Sequence, residues 1–97
     1  MRMVLKASIP VEKGSEAYNS GALQQTFESA REALEPEGMY FFPEHGSRTC
    51  LIIFDMEESW QLPSIVEPMF QALGASIHLT PAMNGKDLER GMKEAAA

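Results

Sequence analysis

Strand-like alternation repeats every two residues, and helical spacing about every 3.6. In this chain the two patterns follow one another as strand, helix, strand, strand, helix, strand, with a capped helix last. That order leaves few layouts. Four short strands must share a sheet, and two amphipathic helices must bury their apolar stripes on one of its faces.

The first strand is read over residues 2–9, RMVLKASI. Met3, Leu5, Ala7 and Ile9 alternate with Arg2, Val4, Lys6 and Ser8, and Pro10 ends the run. A helix is expected over Glu16 to Glu35, with Ser15 as its N-cap and Leu23, Phe27, Ala30 and Leu34 on one face. Gly21 inside it costs roughly 1 kcal/mol relative to alanine, so it permits a close approach or marks a break. Pro36 to Gly38 is a turn, and Met39-Tyr40-Phe41-Phe42 a short β-prone strand.

Residues 43–47, PEHGS, make a hairpin in which Gly46 is free to take positive φ. The next strand, RTCLIIFD over 48–55, is apolar on both faces: Leu51 and Ile53 on one, Cys50, Ile52 and Phe54 on the other. Such a run is a central strand covered on both sides. Asp55 and Glu58 resemble a capping box for a second helical region, where Leu62, Ile65 or Val66, Met69 and Leu73 recur at helical spacing. Pro63 suits a first turn, and Pro68 is expected to kink the helix or to start a new one. Gly74 closes it. Ala75 to Thr80 alternates again and Pro81 stops it. Asn84 and Asp87 cap a last helix from Gly85 to about Ala95, with Leu88 and Met92 one turn apart.

Four strands in this order form an antiparallel sheet with the first and third strands central, a ferredoxin-like α+β fold over residues 1–97 as one domain. The helices cover the face of Met3, Leu5, Ala7, Ile9, Ile77 and Leu79. The opposite face carries Val4, Lys6, Ser8, His78 and Thr80 beside one apolar face of the third strand, and Tyr40 or Phe41 from the second. A monomer rarely leaves so apolar a face bare, so a homodimer stacked through the sheet is expected.

The segments VLKASIP, TCLIIFDMEE and IHLTPAMNGKDLERGM resemble the first strand, the third strand and the last strand with its extension in the dimeric α+β barrel superfamily. The resemblance covers nearly the whole chain and rests on architecture rather than a diagnostic motif. It implies a dimeric barrel. The superfamily includes muconolactone isomerases, cofactor-free monooxygenases, haem-handling proteins and ligand sensors, and fold alone does not choose among them. No catalytic residue of those families maps onto this chain by motif.

Charge narrows the partners. The net charge is −6, and no Lys or Arg lies between Arg48 and Lys86. A nucleic-acid binder needs a basic stripe, so neither nucleic acid nor an anionic membrane surface is expected as a partner. A single cysteine, Cys50, makes no internal disulfide and no cysteine metal cage. Its place on a two-sided strand suggests a buried, inert thiol. No secretory signal opens the chain and no apolar run reaches the roughly 20 residues of a membrane helix, so a cytoplasmic location is expected. No cofactor and no metal site is expected.

Candidate functional residues are few. His78, mid-strand beside Lys6 and Ser8, is the one candidate acid or base, since imidazole titrates near neutrality. A histidine satisfied at a subunit contact, or exposed beside a sheet edge, is the plainer alternative. His45 sits in a hairpin tip, where side chains are solvated. Tyr18, Asn19, Tyr40 and Trp60 form the candidate ligand-binding set, because aromatic rings with a polar tip suit an apolar organic ligand. Ordinary packing accounts for them too. Seven methionines would suit an adaptable pocket or simply fill gaps. These residues leave open whether the chain is an enzyme. Binding of a small apolar or aromatic molecule is the leading expectation, with cofactor-free isomerisation or oxygenation within reach. The alternative is a non-enzymatic sensor, carrier or assembly module.

Overall fold

The computed structural model describes residues Met1–Ala97. The elements run β1 (Arg2–Ile9), α1 (Val11–Ser20), α2 (Ala22–Leu34), β2 (Gly38–Glu44), β3 (Ser47–Asp55), a 3₁₀ turn (Ser59–Gln61), α3 (Leu62–Leu73), β4 (Ser76–Pro81) and α4 (Gly85–Ala96). The four strands form one antiparallel sheet in the order β2-β3-β1-β4. The result is an α+β domain consistent with the ferredoxin-like arrangement, with β3 and β1 central as the alternation implies.

Register assigns the two faces. Leu5 pairs with Ile52 and Leu79, and Ala7 with Cys50 and Ile77, so these side chains share the helix-covered face. Leu5, Ile9, Ile52, Phe54, Met69 and Leu73 are fully buried there. Lys6 pairs with Leu51 and His78, and Val4 with Ile53 and Thr80, on the open face. On β2, Met39 and Phe41 fall on the helix side, whereas Tyr40 and Phe42 fall on the open side. The choice between Tyr40 and Phe41 for the open face thus goes to Tyr40. Thr49, the one buried polar side chain apart from backbone, donates its hydroxyl to the Ser47 carbonyl at 3.1 Å.

Several boundaries differ from the sequence expectation. The helix expected from Glu16 to Glu35 is two helices. Gly21 has φ +88°, a left-handed conformation, and its N–H donates to the Tyr18 carbonyl at 3.3 Å to close α1. The first helix starts at Val11, so Ser15 lies inside α1 and caps nothing. Pro10, with φ −57°, leads straight in, and the Gly14 N–H donates to its carbonyl at 2.8 Å. The weak apolar period of VEKGSEAYNS hid the start of this helix, Val11 to Ser15. It buries only Gly14 and Ala17, whose small size suits close packing.

The capping box of the second helical region is Glu58 with Gln61, not Asp55 with Glu58. The Gln61 side-chain oxygen accepts from the Glu58 N–H at 3.0 Å, while Asp55 ends β3. Pro63 occupies the first turn of α3 as expected. Pro68 starts no new helix: α3 continues through it, and it stays exposed while Met69 and Leu73 are buried. The hairpin turn is His45-Gly46, both at positive φ (52° and 76°), so β2 and β3 extend to Glu44 and from Ser47. Strand β4 is shifted by one residue, Ser76–Pro81.

Helix α4 follows its expected cap. The Asn84 side-chain oxygen accepts from the Asp87 N–H at 2.8 Å, and Asp87 returns the bond to the Asn84 N–H at 3.1 Å. Its residues are all exposed, Leu88 and Met92 among them, and one side-chain tie, Arg2 to Asp87 at 3.5 Å, links it to the sheet. No helix is long and apolar enough to cross a membrane.

Candidate functional site

A cleft of about 770 Å³ opens between the α1–α2 junction and the β2–β3 hairpin. Its walls come from two stretches far apart in sequence. Tyr18, Leu23 and Phe27 line it from the helices, and Phe41, Pro43 and Arg48 from the hairpin. The left-handed Gly21 makes the first wall, because it lets α2 turn away from α1 and present Leu23 and Phe27 beside Tyr18. Strand alternation makes the second: Phe41, Pro43 and Arg48 all fall on the helix side of the hairpin.

Phe27 and Phe41 meet edge to face, with ring centroids 5.1 Å apart. Tyr18 and Phe41 remain 58% and 57% exposed, so the rings are on offer rather than consumed by the core. A volume in this range, apolar walls and a few polar groups fit a small organic ligand. Among the lining residues only Tyr18 and Arg48 are ionisable. There is no imidazole, carboxylate or amine to move a proton at neutral pH.

A second cleft of about 670 Å³ lies between α2 and α3. Small side chains such as Ala30, Ala33 and Ala72 floor it, and neutral polar groups such as Gln25, Ser29 and Gln61 rim it. It contains no aromatic ring and its one charged side chain is Asp55, so it is a furrow between helices with less to hold a ligand.

The candidates named from sequence do not come together. Tyr18 lines the aromatic cleft. Asn19, its neighbour, is exposed outside the lining. Tyr40 and His78 are both on the open face of the sheet, but on β2 and β4, its opposite edges. Trp60 is in the 3₁₀ turn before α3, 75% exposed and outside both clefts. His78 stands directly across from Lys6, whose ammonium is tied to Glu44. That hydrogen bond and its charge hold Glu44 below the usual carboxylate range. His78 is exposed and has no side-chain hydrogen bond. Nor do three or more His, Cys, Asp or Glu side chains gather to hold a metal.

Phe27, Phe41 and Arg48 line the cleft, although the sequence offers none of them as a candidate ligand-binding residue. The signal was parity. Arg48 shares its strand face with Cys50, Ile52 and Phe54, which places a guanidinium on the covered side of the sheet. Cys50 itself is fully buried, and burial pushes its thiol up to about 12, so it is no nucleophile at neutral pH.

The open face joins Val4, Leu51 and Ile53 to Tyr40 and Phe42 in one apolar stretch. The Lys6–Glu44 and Arg2–Glu37 ion pairs flank it, the latter at 2.5 Å. Helix α4 adds Leu88 and Met92 as a second apolar surface with nothing packed on it. No protein-family model matches the chain, and no curated protein matches it.

Proposed function

We propose that this chain binds a small apolar or aromatic molecule in the cleft between the α1–α2 junction and the β2–β3 hairpin, and that it works as a homodimer closed through the open sheet face. The observation that carries the ligand reading is the cleft of about 770 Å³ walled by Tyr18, Leu23, Phe27, Phe41 and Pro43. Solvent-facing aromatic rings cost nothing to desolvate beyond what a planar apolar ligand returns. The near-absence of ionisable side chains favours binding over acid–base catalysis in this cleft.

The dimer reading rests on the apolar stretch of Val4, Leu51, Ile53, Tyr40 and Phe42. A second copy stacked sheet on sheet removes it from water and gives the dimeric α+β barrel arrangement. The unpacked helix α4 supports an assembly role as well: its Leu88 and Met92 face needs a partner surface to be buried.

Native mass spectrometry of the protein as purified tests both parts. A dimer carrying an extra small mass is the expected result. A dimer with no retained or added ligand, even with aromatic compounds at millimolar concentration, leaves an assembly module. A monomer rules out the sheet-face dimer.

A further inference from the structure

We infer that the ligand of the aromatic cleft is an anion, an aromatic or apolar carboxylate whose charged end is held by Arg48. This rests on the cleft being a ligand site, and it names what that ligand must carry.

Eight basic residues serve fourteen acidic ones in this chain. Arg2, Lys6, Arg31 and Lys93 are spent in ion pairs with carboxylates. The other four, Lys13, Arg48, Lys86 and Arg90, have none. Of those four, three are exposed cations that water satisfies, and only Arg48 is partly buried. In an acidic protein a half-buried guanidinium without a carboxylate partner is the exception, because desolvation of a cation is offset only by an opposite charge or by full hydrogen bonding.

Full hydrogen bonding is absent. Arg48 Nη1 makes two long contacts, to the Val11 carbonyl and to Ser15 Oγ, both at 3.4 Å, at the weak end of the range. Nε and Nη2 have no protein acceptor. Gly14 is what lets the guanidinium sit there. A Cβ at that position would stand 2.9 Å from Arg48 Nη1 and 3.0 Å from Ile9 Cγ2. The side chain is therefore held in a notch against α1, at one wall of the cleft, with most of its donors unused.

The start of α1 adds to the attraction. Val11, its first residue, also lines the cleft, and no side chain caps the amides of that first turn. Unused helix N-terminal amides and an unpaired guanidinium together favour a carboxylate, which Arg can take with two parallel bonds. The rings of Phe27, Phe41 and Tyr18 then take the apolar body. An uncharged ligand would use the rings and leave Arg48 as it is.

The test uses two probes of one shape, 2-naphthoate and its neutral amide, titrated into the full chain by calorimetry. A charge-assisted bidentate contact is expected to make 2-naphthoate bind about ten-fold tighter or more. Arg48→Gln should abolish that preference, bringing the two probes to equal affinity. Arg48→Lys, which keeps the charge, should retain part of it. Phe41→Ala should weaken both probes alike. Equal binding of the two probes to the native chain overturns the anion site and leaves the aromatic cleft standing. A preference for 2-naphthoate that survives Arg48→Gln also overturns it, since the anion is then held elsewhere. Failure of both probes to bind removes the cleft reading and this inference together.

Discussion

Raising the pH from about 8 to about 10 should destabilise this protein through one buried thiol. Cys50 lies on β3 with 0% exposure, paired with Ala7 on one side and Phe41 on the other. Burial raises its pKa from an ordinary 9.0 to about 12. Below the ordinary value both the folded and the unfolded chain hold the proton, and the thiol's contribution to stability is complete. Between the two values only the unfolded chain releases it, so the folded state loses about 1.4 kcal/mol per pH unit until the folded thiol ionises as well. At pH 10 the loss relative to pH 8 comes to roughly 1.4 kcal/mol. For a chain of 97 residues that corresponds to a fall in Tm of about 6–11 °C. Tyrosines and lysines also titrate in this range, so the comparison is with Cys50→Ala. Removing the sulfur costs that variant roughly 1 kcal/mol at every pH through lost burial, but it should lack the thiol's share of the alkaline fall. Urea unfolding of both chains, reduced and at one fixed protein concentration, gives the two pH differences. Equal falls in the native chain and in Cys50→Ala would refute the reasoning.

Three further perturbations separate the parts of the fold. Ile53→Lys puts an ammonium in the middle of the open apolar face, opposite Val4 and Gly38, and should weaken the proposed homodimer on the order of a hundred-fold with the far-UV spectrum intact; sedimentation velocity that still finds a dimer would rule out this face as the interface. Gly21→Ala should lower stability by about 1–2 kcal/mol, because the residue holds φ +88° with nothing within 4 Å of the added Cβ, so backbone strain is the whole effect. Denaturant unfolding reads that change, and unaltered stability would mean that α1 and α2 do not meet at a left-handed residue. Asn84→Ala removes the acceptor for the Asp87 amide and should lower helical signal and speed amide exchange across α4; since the residues of α4 are all exposed and the Arg2–Asp87 pair is its one side-chain tie to the sheet, the main unfolding transition of the monomer should not move, and a shift of a kcal/mol or more would show that α4 is part of the cooperative unit.

The sheet was legible because each of its strands declares itself locally. Alternation in RMVLKASI and ASIHLT, and the doubly apolar RTCLIIFD, require nothing beyond neighbours in sequence. The first helix was not legible in the same way. Its burial falls on Gly14 and Ala17, two small residues that carry almost no hydrophobic signal, so the apolar period began only at Leu23. The site was harder still. It joins a helix junction at residues 18–27 to a hairpin at residues 41–48, and no periodicity reports which distant segments meet. Residue type alone groups Tyr40 and Trp60 with Tyr18, although they share neither a face nor an element with it. Arg48 carries no such local signal, since in sequence it only opens a strand. Strand parity with the buried Cys50 places it on the covered face, and Arg2 and Lys6, the other partly buried cations, are both paired.

One strand carries both proposed surfaces. On β2, Phe41 and Pro43 face the cleft, while Tyr40 and Phe42 face the open side where the partner copy is proposed to sit. Because successive side chains alternate, a slip of one residue between β2 and β3 would exchange the two sets. Tyr40 and Phe42 would then turn toward Phe27 and the core, and Phe41 would leave the ring it meets edge to face. The two-residue turn at His45-Gly46 prevents this. Both residues are at positive φ, and a turn of that length and hand permits only one register for the strands it joins. His45, read from sequence as a candidate of the solvated kind, thus has its clearest role in the backbone rather than the imidazole. It helps hold the register that keeps the cleft wall on one side of the sheet and the apolar open face on the other. The cleft and the open apolar face are in this way set by the same turn, and they stand back to back across a single strand.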